Sequence, residues 1–253
     1  MSKTVLITGA ASGIGLYVAE QLAIAGHNII VTDLNEQAAQ QAAAHIVAQG
    51  GSAEGYALNV ADSQAITRFF TMLNQPIDVL INNAGIQHVA KLEEFPADTW
   101  QLLQQVMLVG PAMMSKAVLP CMREQNFGRI INIGSIHALV ASKYKSAYVA
   151  AKHGLIGFAK TVALETGDSN ITINTVCPAY VKTPLVEQQI AAQAKQHSIS
   201  QQQVIDTIML APMPKKAFIG LDEILHTICF LMADEARNIT AQAIAIDGGW
   251  TAQ

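Results

Sequence analysis

The chain has 253 residues, of which 51% are hydrophobic and 13% are charged, and its formal net charge is -4 at pH 7. This composition can fill a substantial core and is the opposite of a disordered one. Because the balance is slightly acidic and Lys and Arg form no run outside residues 134–154, nucleic acid and membrane surfaces are not expected as main partners.

The first residues and the cysteines narrow the class of protein further. The segment MSKTVLITGA enters an apolar strand without the apolar region of a signal peptide, and no apolar run approaches the roughly 20 residues of a membrane-spanning helix. Cys121, Cys177 and Cys229 lie far apart and form no CxxC pair, so neither a disulfide nor a metal site is expected. We expect a soluble, cytoplasmic protein without a metal.

Short runs rich in Val and Ile alternate with longer Ala-rich stretches, which are typical of strands and helices respectively. In chain order the pattern predicts strand 4–8, helix 13–25, strand 28–32, helix 35–49, strand 53–58, helix 62–74, strand 78–81, helix 99–124, strand 129–133, helix 146–165, strand 171–176, helix 221–233 and strand 243–246. This alternation predicts an α/β fold: one domain over residues 1–253, with a Rossmann-type doubly wound parallel sheet of about seven strands flanked by helices.

One segment interrupts this alternation. Residues 184–214 lie between the sixth and seventh predicted strands and are rich in Gln and Ala. Long insertions in compact domains are often binding loops or lids. We therefore expect a helical substrate lid, the alternative being a surface excursion without a function.

A glycine pattern follows the first predicted strand. Gly9, Gly13 and Gly15 lie where the strand gives way to a helix, and glycine there lets the backbone approach a pyrophosphate bound at the helix N-terminus. Asp33 ends the second strand, where a carboxylate accepts hydrogen bonds from ribose hydroxyls and repels a 2′-phosphate. Because Ala10 and Ala11 supply no cation for such a phosphate, the pattern indicates NAD rather than NADP. The alternative role for Asp33 is a helix N-cap.

The glycine spacing G-x-x-x-G-x-G, the NNAG motif at residues 82–85, Ser135, Tyr148 and Lys152 together resemble the short-chain dehydrogenase/reductase family across essentially the whole chain. The resemblance implies that Ser135, Tyr148 and Lys152 are catalytic and that the protein is a homotetramer. It also implies a set of cofactor-binding residues: Gly9, Ser12, Gly13, Ile14, Gly15, Asp33, Asn59, Val60, Asn83, Ala84, Gly85, Tyr148, Lys152, Pro178, Val181 and Thr183.

The pair Tyr148 and Lys152 has the spacing of one helical turn, so both side chains project from one helix face. A phenol has a pKa of about 10, too high for a base near neutral pH, but a nearby ammonium and the positive nicotinamide ring favour the phenolate. Tyr148 is then expected to take the proton of an alcohol as hydride leaves for NAD, while Ser135 hydrogen-bonds the substrate oxygen. Alone, the Tyr–Lys spacing also suits an ordinary helix surface.

Two further cations near Tyr148, His137 and Lys145, are not explained by this chemistry. An ammonium beside a hydride-transfer site is costly to bury unless an anion arrives with the substrate, which favours a small hydroxy or oxo carboxylate. The resemblance extends to family members with such substrates. It implies a substrate site of Gln87, His137, Lys145, Gln189 and Trp250, with Gln189 carried by the lid. The alternatives are a structural histidine and solvent-facing Lys and Gln side chains.

Met107 and Tyr180 depart from the family pattern near the catalytic and substrate residues. Met107 stands where an Asn commonly supports a water that links the lysine to solvent, although the main-chain carbonyl can still hold that water. Tyr180 stands where a Trp usually forms an apolar wall in the members with carboxylate substrates. Two alternatives therefore stay open: a reductase of a neutral ketone or a carrier-bound 3-oxoacyl chain, and a catalytically weak NAD-binding sensor or scaffold.

Overall fold

The fold is a seven-stranded parallel sheet with helices on both faces. The computed structural model describes residues 2–73 and 75–252, and the strand order within them is β3-β2-β1-β4-β5-β6-β7. The strands are β1 Thr4–Thr8, β2 Asn28–Asp33, β3 Ser52–Ala57, β4 Val79–Asn82, β5 Gly128–Ile133, β6 Ile171–Pro178 and β7 Ala243–Ile246, and all their pairings are parallel. The predicted fold class is confirmed.

The helices follow the strands in the predicted alternation. They are α1 Gly13–Ile24, α2 Glu36–Ala48, α3 Ser63–Leu73, α4 Ala97–Gln104, α5 Gly110–Glu124, α6 Ser146–Glu165, α7 Pro184–His197, α8 Gln201–Val204 and α9 Leu221–Met232. Most boundaries agree with the prediction within one or two residues. Asn74, the expected last residue of the third helix, lies outside the described residues.

Each face of the sheet is covered by its own hydrophobic core, because successive side chains of a strand point to opposite faces. Val5 and Ile7 pack with α1, α2 and α9, whereas Leu6 packs with α3, α5 and α6. All three side chains are fully buried. Because helices cover both faces of the sheet, the strands have nearly continuous apolar runs rather than an alternating pattern.

The predicted helix 99–124 is interrupted in the structure by a π-helical turn, Gln105–Val109, between α4 and α5. Pro111 has no N–H to donate to the carbonyl of Met107, four residues earlier, and its ring disfavours regular helix there. Gly110 also packs closely on another segment, since a Cβ at Gly110 would lie 2.7 Å from the Val60 carbonyl oxygen. Hydrophobic periodicity reveals neither the missing Pro111 hydrogen bond nor the close packing of Gly110.

The segment Ala97–Glu124 is long and apolar enough, by length and composition alone, to cross a membrane, which the sequence-based expectation did not anticipate. In the fold this segment contacts β4, β5 and α6. Leu103 and Met114 within it are buried in the protein core. One face of the segment therefore packs in the core, and 39% of its apolar window is buried.

The insertion is helical, as predicted. It consists of α7, α8 and a second π-helical turn, Ile205–Met209. Ile190, Val204 and Met209 form a small hydrophobic cluster of their own, against which Tyr180 and other residues pack. Its two helices therefore pack on each other, whereas Leu210 and Met213 near the end of the segment belong to the core shared with α1, α2 and α9.

Helix α2 packs closely on β3 at Gly55, and we predict that a larger side chain there destabilises the fold. A Cβ at this position would lie 2.4 Å from the Ala39 carbonyl oxygen, so Gly55→Ala should lower the free energy of unfolding by about 1–3 kcal/mol. Gly157 in α6 has no atom within 4 Å of an added Cβ, and Gly157→Ala should be neutral or stabilising by up to about 1 kcal/mol. Urea unfolding measures both; equal midpoints for the two variants would contradict the packing described.

Candidate active site

A cleft of about 370 Å³ lies at the carboxyl ends of the central strands. The sheet reverses its strand order between β1 and β4, and crevices of open α/β sheets form at such a point. The cleft is lined by the predicted catalytic residues Ser135, Tyr148 and Lys152 and by the predicted substrate residues Gln87, His137, Lys145 and Gln189. The predicted cofactor residues that also line it are Gly9, Ser12, Gly13, Ile14, Asp33, Asn59, Val60, Asn83, Ala84, Gly85, Pro178, Val181 and Thr183.

Two predicted site residues do not line the cleft. Gly15 is buried beneath it, where an added Cβ would lie 2.5 Å from the Asn83 Nδ2 and 2.7 Å from the Gly9 carbonyl oxygen. Trp250 packs behind the cleft wall, stacked on Tyr180 with ring centroids 6.0 Å apart and edge-on to His137 at 5.8 Å. Both residues support neighbours that reach the cleft.

The loop after β1 is held open by hydrogen bonds from the NNAG motif. Asn83 donates from Nδ2 to the carbonyl oxygens of Thr8 and Gly9, both at 2.9 Å. The Thr8 hydroxyl accepts from the main-chain N–H groups of Asn83 and Ala84. Gly9 has a φ of +60°, which favours glycine. Ser12, Gly13 and Ile14 at the start of α1 line the cleft, and a helix N-terminus at this place fits a pyrophosphate.

Asp33 lines the far end of the cleft and is not the N-cap of α2. Asn35 holds that position, accepting from the Ala38 N–H at 3.1 Å. The Asp33 carboxylate accepts instead from the N–H groups of Ala11 at 3.3 Å and Asn35 at 3.1 Å. The N-cap alternative for Asp33 is therefore wrong.

The side chains predicted to be catalytic meet at the opposite end. Lys152 is 4% exposed and donates to the Ile133 carbonyl oxygen at 2.7 Å, and its Nζ lies 5.7 Å from the centre of the Tyr148 ring. Burial lowers the pKa of Lys152 to about 8. Burial also raises the pKa of Tyr148, while the neighbouring Ser135 hydroxyl opposes that shift. Ionisation of Tyr148 therefore requires positive charge close to its oxygen.

Lys145 is a buried cation at the substrate end. Its side chain donates to the Tyr180 hydroxyl at 3.2 Å, and the residue is 6% exposed. No carboxylate of the described residues forms a salt bridge with it. Burial lowers the pKa of Lys145 to about 8. A surface position for Lys145 is thus excluded, and the site favours an incoming anion.

His137 is buried beside Ser135. Its Nδ1 lies 3.4 Å from the Ser135 Oγ and its Nε2 lies 2.7 Å from the Ser142 Oγ. Burial, with the positive charges of Lys145 and His153, lowers the pKa of His137 to about 3. His137, which was expected to bind the substrate carboxylate, is therefore a neutral ring, and each of its nitrogens lies near a serine hydroxyl.

Sequence reasoning missed two features of this site. Ser142 carries no motif that would single it out, and only the folded loop brings it to His137. Tyr180 was expected only as an altered apolar wall, whereas its hydroxyl accepts from Lys145. Further cleft residues without a sequence signal are Leu34, Leu58, Ile86, Val106, Leu185 and Val186.

Comparison with known proteins agrees with this geometry. The family described as short chain dehydrogenase matches residues 3–194. The chain belongs to the short chain dehydrogenase family. Members of this family are oxidoreductases with a nicotinamide cofactor, and the loop after β1 fits such a dinucleotide.

Individual relatives within the short chain dehydrogenases match over the full length. The chain is 42% identical to the D-beta-hydroxybutyrate dehydrogenase of Rhizobium meliloti, with 100% of both chains covered, and 40% identical to that of Cupriavidus necator, with 99% of this chain and 98% of the relative covered. Among solved structures, an actinorhodin polyketide ketoreductase with NADPH is similar with a TM-score of 0.92 and 30% identity, covering 98% of this chain and 97% of that one.

We predict that anion binding in the cleft follows the charge of Lys145. This side chain is cationic below its pKa of about 8 and neutral above it, whereas acetate stays ionised on both sides. The dissociation constant of acetate should therefore be constant below that pH and rise by about tenfold per pH unit above it. Isothermal titration calorimetry across this range measures the effect.

Lys145→Met is the matched control for that titration. The variant should bind acetate weakly and without the pH dependence, because the cation is replaced by an apolar chain of similar length. If the variant kept the wild-type dependence, Lys152, whose pKa is also about 8, would be the controlling group.

Proposed function

We propose that this short chain dehydrogenase uses NAD to interconvert D-3-hydroxybutyrate and acetoacetate. The observation that carries the proposal is the buried Lys145 ammonium, which faces the same cleft as Tyr148 and has no carboxylate partner among the described residues. A small carboxylate supplies the missing charge and brings its hydroxyl or carbonyl carbon to the catalytic end.

Asp33 supports NAD as the cofactor. Its carboxylate lies at the cleft end opposite Lys152 and repels a 2′-phosphate. Among the described residues that line the cleft, the lysines are Lys145 and Lys152, both at the catalytic end, and arginine is absent. A 2′-phosphate at Asp33 would thus have no cation to hold it.

The chain's own groups then divide the proton chemistry. NAD supplies a hydride acceptor when bound. Lys152 holds positive charge behind Tyr148, which lowers the cost of a phenolate. Tyr148 takes the proton from the substrate hydroxyl, and Ser135 hydrogen-bonds the substrate oxygen, where charge develops. In reduction the same groups act in reverse.

The substrate is oriented by its carboxylate. Lys145 provides the charge, and the amides of Gln87 and Gln189 provide further hydrogen-bond donors at the same end of the cleft. Gln189 belongs to α7, so closure of α7 and α8 over the substrate would exclude water from the hydride-transfer step. We propose this segment, residues 184–214, as the lid.

The assembly is proposed to be a homotetramer. The segment Ala97–Glu124 is apolar but only partly buried within one chain. Leu102 in α4 and Leu164 in α6 are exposed. Apolar helix faces of this kind are typical of subunit interfaces.

A second candidate is reduction of a neutral ketone. The hydroxyl of Tyr180 already gives Lys145 a hydrogen-bond acceptor, which reduces the need for an anion. One similar solved structure is that of an actinorhodin polyketide ketoreductase, which is named as a reductase of ketones. Both candidates use the same Ser135, Tyr148 and Lys152 chemistry and differ only at the substrate end.

One kinetic comparison separates the candidates. We predict that the purified protein oxidises NADH when acetoacetate is the substrate. This rate should exceed the rate with NADPH and acetoacetate, and also the rate with NADH and 2-butanone, the neutral analogue. Loss of reduced-cofactor absorbance measures each rate. Turnover of 2-butanone alone would favour the second candidate, and NADH binding without turnover of either ketone would leave only an NAD-binding protein.

Substitution of Lys145 tests the carboxylate site directly. Lys145→Met should raise the KM for acetoacetate roughly 10- to 100-fold, the effect of losing a charge-assisted hydrogen bond, with the NADH dissociation constant unchanged. Lys143 is exposed on the same loop, and Lys143→Met should leave both constants unchanged. Equal KM values for the two variants would rule out Lys145 as the carboxylate ligand.

A further inference from the structure

The loop before α6 contains two lysines that are separated by one residue and lie in opposite environments. Lys143 is exposed, whereas Lys145 is 6% exposed and lines the cleft. In extended backbone, alternate side chains point to the same side of the chain. A turn of the backbone at the intervening residue, Tyr144, therefore separates the two ammonium groups.

Tyr144 has a left-handed backbone conformation. Its φ of +68° lies in the region that favours glycine, where a bulky residue is rarely found. Such conformations persist where the surrounding structure imposes them, and they are frequent at ligand-binding sites. The described residues other than glycine that have a positive φ are Asn126, Tyr144, Ser198, Lys216 and Ala241. Of these, Tyr144 alone directly precedes a residue that lines the cleft.

The chain is held on both sides of this turn. The Tyr144 carbonyl oxygen accepts from the Ala90 N–H at 3.0 Å, which joins this loop to the loop that carries Gln87. On the other side α6 begins at Ser146, and Ala147 in its first turn is fully buried. The backbone must therefore change direction within a very short stretch, and the left-handed conformation of Tyr144 makes this possible.

Lys145 lies between the turn and the helix. It is the N-cap residue of α6, its φ of -120° and ψ of 32° are not helical, and its side chain does not cap the helix. Its ammonium donates instead to the Tyr180 hydroxyl at 3.2 Å. Because Lys145 is not yet part of the regular helix, the direction of its side chain depends on the turn at Tyr144.

The ring of Tyr144 does not explain the conformation of its backbone. The residue is 48% exposed. Within the described part of the chain, the ring takes part in no aromatic pair and no cation–π contact. Tyr144 therefore acts on the cleft through its main chain.

We propose that Tyr144 is a positioning residue whose left-handed backbone holds the Lys145 ammonium inside the cleft and ties the Lys145 loop to the Gln87 loop. This inference rests on the proposed function, in which Lys145 binds the substrate carboxylate. Tyr144 itself does not line the cleft. A residue that disfavours positive φ at this position should let the ammonium leave, and the apparent affinity for small anions should fall with the fraction of molecules in which it has left.

Tyr144→Thr and Tyr144→Asn are a matched pair that tests this role. Both remove the ring and leave a short polar side chain, but β-branched threonine disfavours positive φ, whereas asparagine tolerates it. Tyr144→Thr should raise the dissociation constant of acetate, measured by calorimetry near neutral pH, and the KM for acetoacetate by about 3- to 10-fold. The kcat and the NADH dissociation constant should not change. Tyr144→Asn should retain the wild-type values.

Chemical labelling reports the position of Lys145 without a ligand. Brief treatment with acetic anhydride, followed by mass spectrometry, should acetylate Lys143 in the wild-type protein and spare Lys145, because only Lys143 is exposed. In Tyr144→Thr the protection of Lys145 should be lost, and in Tyr144→Asn it should remain. Lys143 is the internal reference in all three proteins.

Asn126→Thr controls for a general loss of stability. Asn126 also has a positive φ, +50°, but it lies between α5 and β5, at the amino end of the sheet and away from the cleft. This variant should lower the midpoint of urea unfolding without changing acetate binding or the labelling of Lys145. An equal loss of acetate binding in Asn126→Thr and Tyr144→Thr would overturn the positioning role.

Two other results would also overturn it. One is a protected Lys145 with unchanged acetate binding in Tyr144→Thr. The other is an equal loss of acetate binding in Tyr144→Thr and Tyr144→Asn, which would assign the effect to the ring. Labelling and acetate binding need no turnover, so they test Tyr144 separately from the activity. Failure of the wild-type protein to reduce acetoacetate would instead overturn the proposed dehydrogenase function.

Discussion

The cleft depends on the burial of two lysine ammonium groups at the carboxyl ends of a parallel sheet. Neither Lys145 nor Lys152 is well solvated, and burial lowers the pKa of each to about 8. In the described residues neither forms a salt bridge with a carboxylate. In the proposed function each is stabilised by negative charge that develops or arrives during the reaction: a phenolate at Tyr148 and a substrate carboxylate beside Tyr180.

The sheet makes this burial possible. Its strands are sealed by separate cores on the two faces, so the polar ends of the strands are held rigidly at one edge. Helix α6 carries Tyr148 and Lys152 one turn apart, and Ser135 follows β5, which ends two residues earlier at Ile133. Within the insertion, α7 and α8 pack on each other around Ile190 and Val204, whereas Leu210 and Met213 belong to the core beside the sheet.

Much of the site could be predicted because its motifs are local. The glycines after β1, the acid at the end of β2 and the Tyr148–Lys152 spacing each lie within one strand–turn–helix unit or one helix. Prediction failed where distant segments meet. The π-helical turn before Pro111 also reflects contact with Val60, and Gly15 and Trp250 lie one layer behind the cleft because they pack against Asn83 and Tyr180.

The sequence by itself determined the α/β fold class, the dinucleotide-type turn and the one-turn spacing of Tyr148 and Lys152 on a helix, since hydrophobic periodicity and short spacings suffice for these features. Only the tertiary structure decided that Lys145 is buried against Tyr180, that His137 lies between Ser135 and Ser142, and that Met107 is fully buried. Burial and hydrogen-bond partners come from packing between segments that are far apart along the chain, and no local pattern encodes that packing.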